Sequence, residues 1–325
     1  MNIFNMIGVL ATGVAASVSF AVPALAEYPD RPITIVVTNA AGGGTDVFAR
    51  ILAKELSVVA NQPVVVENRT GAGTVIGTRY VNRSPPDGYR ILFVTNSVAI
   101  EQTLKKAPDF DVRRDLTPIT SIAKVPVAVF VNPDLPVKTL TELVSYMKAN
   151  PGVVNYATTG IGTTTHLMWE NFAARNSVRI VHIPYQGGSQ MTAALIGKQV
   201  QLMWNDVATT LPVVKSGQAR ILATSGSKER YTLTPDVPTF DELGYSGYSL
   251  GPKFGVYAPP GVPEDLARKI NALIVKAAQS PAMQAEAKKR GYVVETNSVE
   301  DFKNEVVDEV RVWGKIVQDA KIELQ

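Results

Sequence analysis

Hydrophobic and polar positions follow two different periods along the chain. Short runs rich in β-branched residues, such as PITIVVT at 32–38 and RILFVT at 90–95, are typical of buried strands. Between such runs lie longer amphipathic stretches, as at 46–59, where apolar residues recur at the spacing of one helix face. Because strands and helices alternate, the pattern predicts an α/β fold in which helices cover parallel sheets.

The predicted elements fall into two successive groups. Strands are predicted at 32–38, 63–67, 90–95, 119–124, 127–132, 155–158, 179–183, 201–204, 219–224 and 254–258. Helices are predicted at 46–59, 77–82, 139–149, 164–175, 189–196, 209–216, 263–279, 281–290 and 299–320. The pattern restarts near residues 124–126, and about 300 mature residues exceed what one core usually fills. We therefore expect two domains with a crossing at this point.

The first 26 residues carry no charged side chain and end in the small-residue pattern PALA at 23–26. This pattern predicts a signal peptide at 1–26 and cleavage before Glu27, so that a soluble mature chain is exported to the periplasm. A membrane helix is the alternative. Only residues 7–22 are strongly apolar, which is short of the roughly 20 residues that span a bilayer.

Composition narrows the chemistry further. The chain contains no cysteine, so a lipid anchor, disulfides, cysteine-bound zinc and thiol nucleophiles are excluded. Its net charge of +3 is spread along the chain without a basic run, which argues against nucleic acid as a partner. A weakly positive balance is compatible with an anionic ligand.

Glycine-rich turns mark the candidate binding chemistry. AAGGGTD at 40–46, GAGTVIG at 71–77, TTGIGTTTH at 158–166 and YQGGS at 185–189 each lie between a predicted strand and a predicted helix. Such turns place backbone N–H groups and the positive end of a helix at the mouth of a sheet, where they hold an anion. A single turn of this kind is more often an ordinary loop. Several together predict a shared pocket for a small organic anion.

Two other functional classes fit these motifs poorly. The turn at 71–77 reads G-x-G-x-x-x-G without a following acidic residue, and the turn at 40–46 lacks the lysine of a phosphate loop, so nucleotide binding is not expected. No G-x-S-x-G or metal-binding spacing is present, so neither a hydrolase nor a metal site is expected. His182 is interpreted as structural. His166 opens a helix after a Gly/Thr-rich turn and is a candidate ligand contact, with capping or packing as the alternative.

An ordered set of short motifs gives the chain a specific resemblance. The motifs are YPDRPI at 28–33, GGGTD at 42–46, PVVVENR at 63–69, GAG at 71–73, PDGY at 86–89, NYA at 155–157, GIGT at 160–163, HIPY at 182–185, PDVPT at 235–239, FGVYAP at 254–259 and WGK at 313–315. In this order they resemble the solute receptors of tripartite tricarboxylate transporters, the Bug-type receptors. The similarity covers essentially the whole mature chain.

The resemblance implies a type II periplasmic binding protein fold, with two doubly wound domains joined by a two-strand hinge. It places domain 1 at 27–124 plus 252–325 and domain 2 at 125–251. Members similar to this chain hold a carboxylate with the first glycine-rich loop and the Gly-x-Gly-Thr loop. The candidate ligand-binding residues are Asn39, Ala40, Ala41, Gly43, Asp46, Asn96, Ser97, Thr159, Gly162, Thr163, His166, Tyr185, Trp204, Asn205, Asp206 and Lys253.

The chain departs from the family pattern near the expected pocket. TNAA at 38–41 replaces a proline-rich run, QLMW at 201–204 stands where relatives often have DLMF, and Lys253 stands where an aromatic is common. The ammonium of Lys253 is a candidate partner for a second ligand carboxylate, with a solvated hinge lysine as the alternative. Trp204 is a candidate wall for an aromatic or extended acid, with a core role as the alternative.

The resulting hypothesis is a periplasmic receptor, expected to be a monomer. It closes on one small mono- or dicarboxylate and presents it to the membrane permease subunits of a tripartite transporter. Neither a cofactor nor a metal is expected. A co-receptor for a sensor system is one alternative. An enzyme acting on a small organic acid is another, and the lack of a recognisable nucleophile–base pair argues against it.

Overall fold

The computed structural model describes residues 28–72, 74–105, 110–226, 228–248 and 251–322, and the predicted signal peptide lies outside them. The strands are β1 (Ile33–Val37), β2 (Val64–Asn68), β3 (Arg90–Thr95), β4 (Thr117–Lys124), β5 (Val127–Val131), β6 (Asn155–Thr158), β7 (Val181–Pro184), β8 (Leu202–Asp206), β9 (Arg220–Ser225), β10 (Lys253–Ala258) and β11 (Val293–Val294). The helices are α1 (Gly44–Ala60), α2 (Val75–Asn82), α3 (Ser97–Glu101), a 3-10 helix (Gln102–Leu104), α4 (Val112–Asp115), α5 (Leu140–Ala149), α6 (Thr164–Asn176), α7 (Gly188–Ile196), α8 (Val207–Lys215), α9 (Glu264–Ala278), α10 (Pro281–Lys289) and α11 (Val299–Asp319).

Two mixed sheets organise these elements. The first sheet has the strand order β11-β4-β10-β3-β1-β2, and the second has the order β7-β6-β8-β5-β9. The α/β class and the two-domain fold are confirmed, but the expectation of wholly parallel sheets was wrong. β10 runs antiparallel to β3 and β4, β5 runs antiparallel to β8 and β9, and the short β11 runs antiparallel to β4. β5 and β10 each enter their sheet from the other domain, so they start where the neighbouring strands end and run back.

Two crossings connect the sheets side by side and form the hinge. The first leads from β4 to β5, and the second leads into β10. The amide of Val125 in the first crossing donates to the carbonyl of Pro252 in the second at 2.9 Å. Lys253 at the start of β10 lies opposite Lys124 at the end of β4. The crossings are therefore hydrogen-bonded to each other, as a two-strand hinge requires.

Four short elements were not predicted from the sequence, namely α3, the 3-10 helix, α4 and β11. They contain two to five residues each, too few for an apolar period to appear. The predicted elements are all present with ends that differ by at most two residues. Among the described residues, no helix is both long and apolar enough to cross a bilayer.

Candidate functional site

The strands β1, β3, β6, β7 and β8 have their carboxyl ends at the junction between the two sheets. Thr95 at the end of β3 lies opposite Phe254 beside the hinge, and β1 runs parallel to β3. Asp206 at the end of β8 lies opposite Val127, the first residue after the crossing, and β6 and β7 run parallel to β8. The helices α1, α3, α6, α7 and α8 follow these strands directly. Their N-termini therefore meet at this junction, which we call the cleft.

Three of the helices that begin at the cleft, α1, α6 and α7, lack a side-chain cap. Outside the cleft, α5, α10 and α11 begin at serine or threonine residues whose hydroxyls accept a hydrogen bond from a first-turn amide. The N-cap residues of α1, α6 and α7 are Gly43, Thr163 and Gly187, and none of them makes a side-chain cap. The first-turn amides of these three helices thus lack a capping acceptor. An anion placed there meets N–H donors and the positive helix ends.

The buried carboxylate of Asp46 shapes the first glycine-rich loop. It accepts hydrogen bonds from the Gly42 amide at 2.8 Å, from Arg50 Nε at 3.0 Å and from Asn68 Nδ2 at 2.8 Å. Burial alone would raise the pKa of Asp46, but these donors outweigh it and hold the pKa below its ordinary value. The Asp46 carboxylate is thus hydrogen-bonded to its own loop and to the side chains beside it. A contact between Asp46 and the ligand stays a prediction, and the bonds described here give the carboxylate a role in shaping the loop.

The other candidates in this loop remain accessible at the cleft. Ala40 and Ala41 are exposed, while Asn39 and Gly43 are partly buried. The carbonyl of Asn39 accepts a hydrogen bond from Asn68 Nδ2 at 3.0 Å, which ties the loop to the end of β2. The loop therefore presents mainly backbone and small side chains to a ligand.

The Gly-x-Gly-Thr turn at 160–163 lies against the first domain. Gly160 and Gly162 have φ angles of +128° and +80°, in the region that favours glycine. The hydroxyl of Thr163 donates to the carbonyl of Gly160 at 2.9 Å and closes the turn. A Cβ on Gly162 would lie 3.0 Å from Cδ1 of Leu104 in the 3-10 helix, so glycine permits the close approach. Thr159 is partly buried at the start of the turn.

Two histidines stack behind this turn. The ring centroids of His166 and His182 lie 4.4 Å apart, and Nδ1 of His166 accepts a hydrogen bond from the Gly162 amide at 3.4 Å. Nε2 of His182 lies 2.6 Å from Oγ1 of Thr158. Burial lowers the pKa of both histidines to about 4, and the neighbouring His166 adds to the shift of His182. Both rings are therefore neutral at pH 7, and the buried His166 supports the turn from behind.

The side chain of Asn96 is used entirely within the protein. Its Oδ1 accepts a hydrogen bond from Thr164 Oγ1 in the second domain at 2.9 Å. Its Nδ2 donates to the Gly251 carbonyl at 3.2 Å and to Glu309 Oε1 at 3.3 Å. Ser97, the first residue of α3, is buried beside it. A contact between the Asn96 amide and the ligand stays a prediction, and these bonds favour a structural role for Asn96.

Asn205 and Tyr185 flank the start of α7. Nδ2 of Asn205 donates to Oγ1 of Thr210 at 3.1 Å, and a Cβ on Gly188 would lie 2.9 Å from Asn205 Oδ1. Asn205 therefore packs against the first residue of α7. Tyr185 is partly buried, and its amide pairs with the carbonyl of Thr158 at 2.9 Å.

Tyr292, between α10 and β11, is a cleft residue that sequence reasoning missed. Its hydroxyl would lie 3.2 Å from a Cβ on Gly44, the first residue of α1, and it lies beside the carboxylate of Asp206. Asp206 also caps α8 by accepting from the Thr209 amide at 2.9 Å. Burial raises the pKa of Asp206, and the Tyr292 hydroxyl opposes this shift. No glycine-rich motif marks Tyr292, so the sequence carried no signal for it.

Trp204 belongs to the core of the second domain, which corrects its candidacy as a pocket wall. Its side chain has 0% relative exposure, and its Nε1 donates to Ser225 Oγ at 2.8 Å. The indole stacks on Phe240 and Tyr248 with centroid separations of 4.8 and 5.9 Å. Successive strand residues point to opposite faces, and Trp204 points to the apolar one.

Lys253 lies at the hinge as expected, but its ammonium already has partners. It forms ion pairs with Glu305 and with Glu309, the latter at 2.8 Å. Burial alone would lower the pKa of Lys253, but the two carboxylates outweigh it and raise the pKa above its ordinary value. A contact between Lys253 and a second ligand carboxylate stays a prediction, and these ion pairs favour a structural role at the hinge.

The structure thus separates the candidates by where they lie. Those at the cleft that are exposed or partly buried are Asn39, Ala40, Ala41, Gly43, Thr159, Thr163 and Tyr185, while Gly162 and Asn205 lie beside them and are buried. Those whose side chains brace the loops, the hinge or the core are Asp46, Asn96, Ser97, His166, Trp204, Asp206 and Lys253. The first group consists mostly of backbone at helix N-termini.

A two-domain α/β fold with uncapped helix N-termini at a hinged cleft defines a periplasmic solute-binding protein. The family model for the tripartite tricarboxylate transporter family receptor matches residues 48–322, and the chain belongs to this family. The resemblance found in the sequence is therefore confirmed.

Known members of this class are similar over nearly the whole chain. BugT of Bordetella pertussis is 34% identical, and the match covers 100% of both chains. The solved structure of R. palustris Rpa4515 with adipate is 30% identical, with a TM-score of 0.83 over 91% of this chain and 99% of that one. MatC from Rhodopseudomonas palustris, with bound malate, is 26% identical, with a TM-score of 0.82 over 89% and 100%.

Proposed function

We propose that this receptor closes on one small organic mono- or dicarboxylate and presents it to the permease subunits of a tripartite transporter. The observation that carries the proposal is the uncapped set of N-termini of α1, α6 and α7 at the cleft. A carboxylate supplies the acceptors that these amides lack. The adipate and malate named for two similar structures support the same ligand class.

Closure explains how binding is driven. The loop before α1 belongs to the first domain and the Gly-x-Gly-Thr turn to the second, so a single carboxylate collects N–H donors from both only when the domains approach. A ligand favours the closed state by the difference in its affinity for the two states. The candidate contacts are the accessible cleft residues, and neither a cofactor nor a metal takes part.

The proposal excludes turnover of the bound acid. His166 and His182 stack on each other behind the Gly-x-Gly-Thr turn and are neutral at pH 7, which suits support of the turn. We also propose export by a signal peptide at 1–26 and a monomeric mature chain. The division into domain 1 (27–124 plus 252–325) and domain 2 (125–251) follows the two hydrogen-bonded crossings.

Calorimetry with adipate, malate and their dimethyl esters tests the proposal on purified protein. The acids should bind and the esters should not, because the esters lack the negative charge that interacts with the positive helix N-termini. Acid present at 100 times its dissociation constant adds about 2.7 kcal/mol of stability, which thermal unfolding detects. The acid should be recovered unchanged after incubation. Equal binding of acids and esters, or consumption of the acid, would contradict the proposal.

A further inference from the structure

A continuous chain of buried polar contacts links the hinge to the start of α6. Lys253 pairs with Glu309 Oε1 at 2.8 Å, and the same oxygen accepts from Asn96 Nδ2 at 3.3 Å. Oδ1 of Asn96 then accepts from Thr164 Oγ1 at 2.9 Å. Asn96, Thr164 and Glu309 are 4%, 2% and 8% exposed, so water competes little for these contacts.

The donors and acceptors of the Asn96 amide are complementary to those of the groups around it. Its two amide protons face the Gly251 carbonyl and the Glu309 carboxylate, which are both acceptors. Its oxygen faces the Thr164 hydroxyl, which is a donor. A carboxylate at this position would place one oxygen, an acceptor, against the two acceptors that Nδ2 now faces. An apolar side chain would remove the partner of the Thr164 hydroxyl and leave Glu309 paired with Lys253 but without the amide.

The contact between Asn96 and Thr164 crosses from one domain to the other. Asn96 precedes α3 in the first domain, and Thr164 is the first residue of α6 in the second. The approach of Leu104 to Gly162 lies on the same side of the cleft. The hydroxyl of Thr164 therefore connects the uncapped end of α6 to Asn96 in the first domain. Because Asn96 also binds the carbonyl of Gly251, the contact extends to the second crossing.

We propose that Asn96 and Thr164 are positioning residues whose hydrogen bond holds the N-terminus of α6 against the first domain and favours the closed arrangement even without ligand. The inference rests on the proposed function, since α6 supplies one of the amide sets of the cleft. Lys253 and Glu309 act through Asn96 by keeping its amide oriented toward Thr164.

The inference can be tested by measuring the distance between two spin labels in the ligand-free protein with pulsed electron paramagnetic resonance. The chain contains no cysteine, so two introduced cysteines give unique spin labels. Val58→Cys on α1 and Val153→Cys before β6 suit this use, because both side chains are exposed and lie at the strand ends away from the cleft. The test variant is Thr164→Val, which removes the hydroxyl and keeps the shape.

Two further threonine variants control the measurement. Thr164→Ser keeps the donor and should retain the distance distribution of the parent protein. Thr78→Val makes the same chemical change at another buried threonine, whose hydroxyl has no hydrogen-bond partner in the described part of the chain. It should leave the distribution unchanged.

In Thr164→Val we expect the ratio of closed to open molecules to fall about fivefold, the effect of losing one buried hydrogen bond. Asn96→Asp should shift the distribution in the same direction. An unchanged distribution in Thr164→Val, an equal shift in Thr78→Val, or a parent protein that is wholly open would overturn the inference. Because the measurement uses no ligand, its result is independent of whether adipate or malate binds.

Discussion

The hydroxyl of Tyr292 in the first domain lies beside the carboxylate of Asp206, which caps α8 in the second, and the two groups interact electrostatically. The adjacent Gly291 packs on Leu233 of the second domain, where a Cβ on the glycine would lie 2.7 Å from Cδ1 of the leucine. The next residue, Val293, lies opposite Lys124 at the first crossing. The turn at 290–292 thus joins the domains beside the hinge.

Replacing Tyr292 by phenylalanine should lower the free energy of unfolding by about 2 kcal/mol at pH 7, because a buried carboxylate loses the hydroxyl beside it. The lost contact favours the charged form of Asp206, whose pKa is raised by burial. The variant is therefore less stable than the parent protein at pH values above the pKa of Asp206. This difference in the free energy of unfolding shrinks as the pH falls through that pKa. Urea unfolding at pH 7 and close to pH 4 measures both values. Equal differences at the two pH values would contradict this account.

Gly162→Ala should lower the affinity for a carboxylate at least tenfold. The new Cβ would lie 3.0 Å from Cδ1 of Leu104, so the leucine side chain or the turn must shift by a few tenths of an ångström, which disturbs the turn that holds the carboxylate in the proposed site. Gly217→Ala is the matched control, because Gly217 has a similar φ of +74° but nothing within 4 Å of its Cβ position. Both variants carry the same backbone strain of about 1 kcal/mol. Calorimetry with adipate that shows equal affinities for the two variants would remove Gly162 from the site.

Lys253→Met should destabilise the protein by about 3–5 kcal/mol, because Glu305 and Glu309 lose their buried partner. The loss of stability should be smaller at lower pH, because the unpaired carboxylates take up protons there. Lys124→Met removes a half-exposed ion pair with Glu295 and should cost less than about 1 kcal/mol. Thermal unfolding of both variants measures the difference.

The same Lys253 variant also tests ligand selectivity. Its affinity for adipate and for the monomethyl ester of adipate should change by the same factor, because the ammonium is paired within the protein. A selective loss of affinity for adipate, measured by calorimetry, would show that the ammonium reaches the second carboxylate.

The two stacked histidines predict an acid-sensitive second domain. The pKa of His166 falls from 6.5 to about 4 through burial, so its neutral form stabilises the fold above pH 6.5, and this contribution is lost as the pH falls toward 4. For this buried ring the change is on the order of 2–3 kcal/mol. His166→Gln should flatten the pH dependence of unfolding between pH 6.5 and 4.5. An identical slope in parent and variant would contradict the assignment.

Local sequence patterns were sufficient to predict the longer strands and helices and the glycine-rich loops. β-Branched runs identified the long strands, and apolar spacing identified the helices, because both patterns arise from residues close together in the chain. The order of the motifs along the chain was sufficient to identify the family. Gly160 and Gly162 were found for the same reason, since a tight turn needs glycine wherever the rest of the chain lies.

Only the tertiary structure decided which side chains pair with each other within the protein. Lys253 meets Glu305 and Glu309, which follow it by some fifty residues, and no local pattern announces this pairing. Trp204 and Asn205 are neighbours on one strand, yet the pleat sends the indole into the core and the amide toward α7. The sequence by itself determined the folding units and the backbone geometry of the loops. The cleft contacts depend on long-range packing between domains, which brings Tyr292 to Asp206 and Asn96 to Thr164.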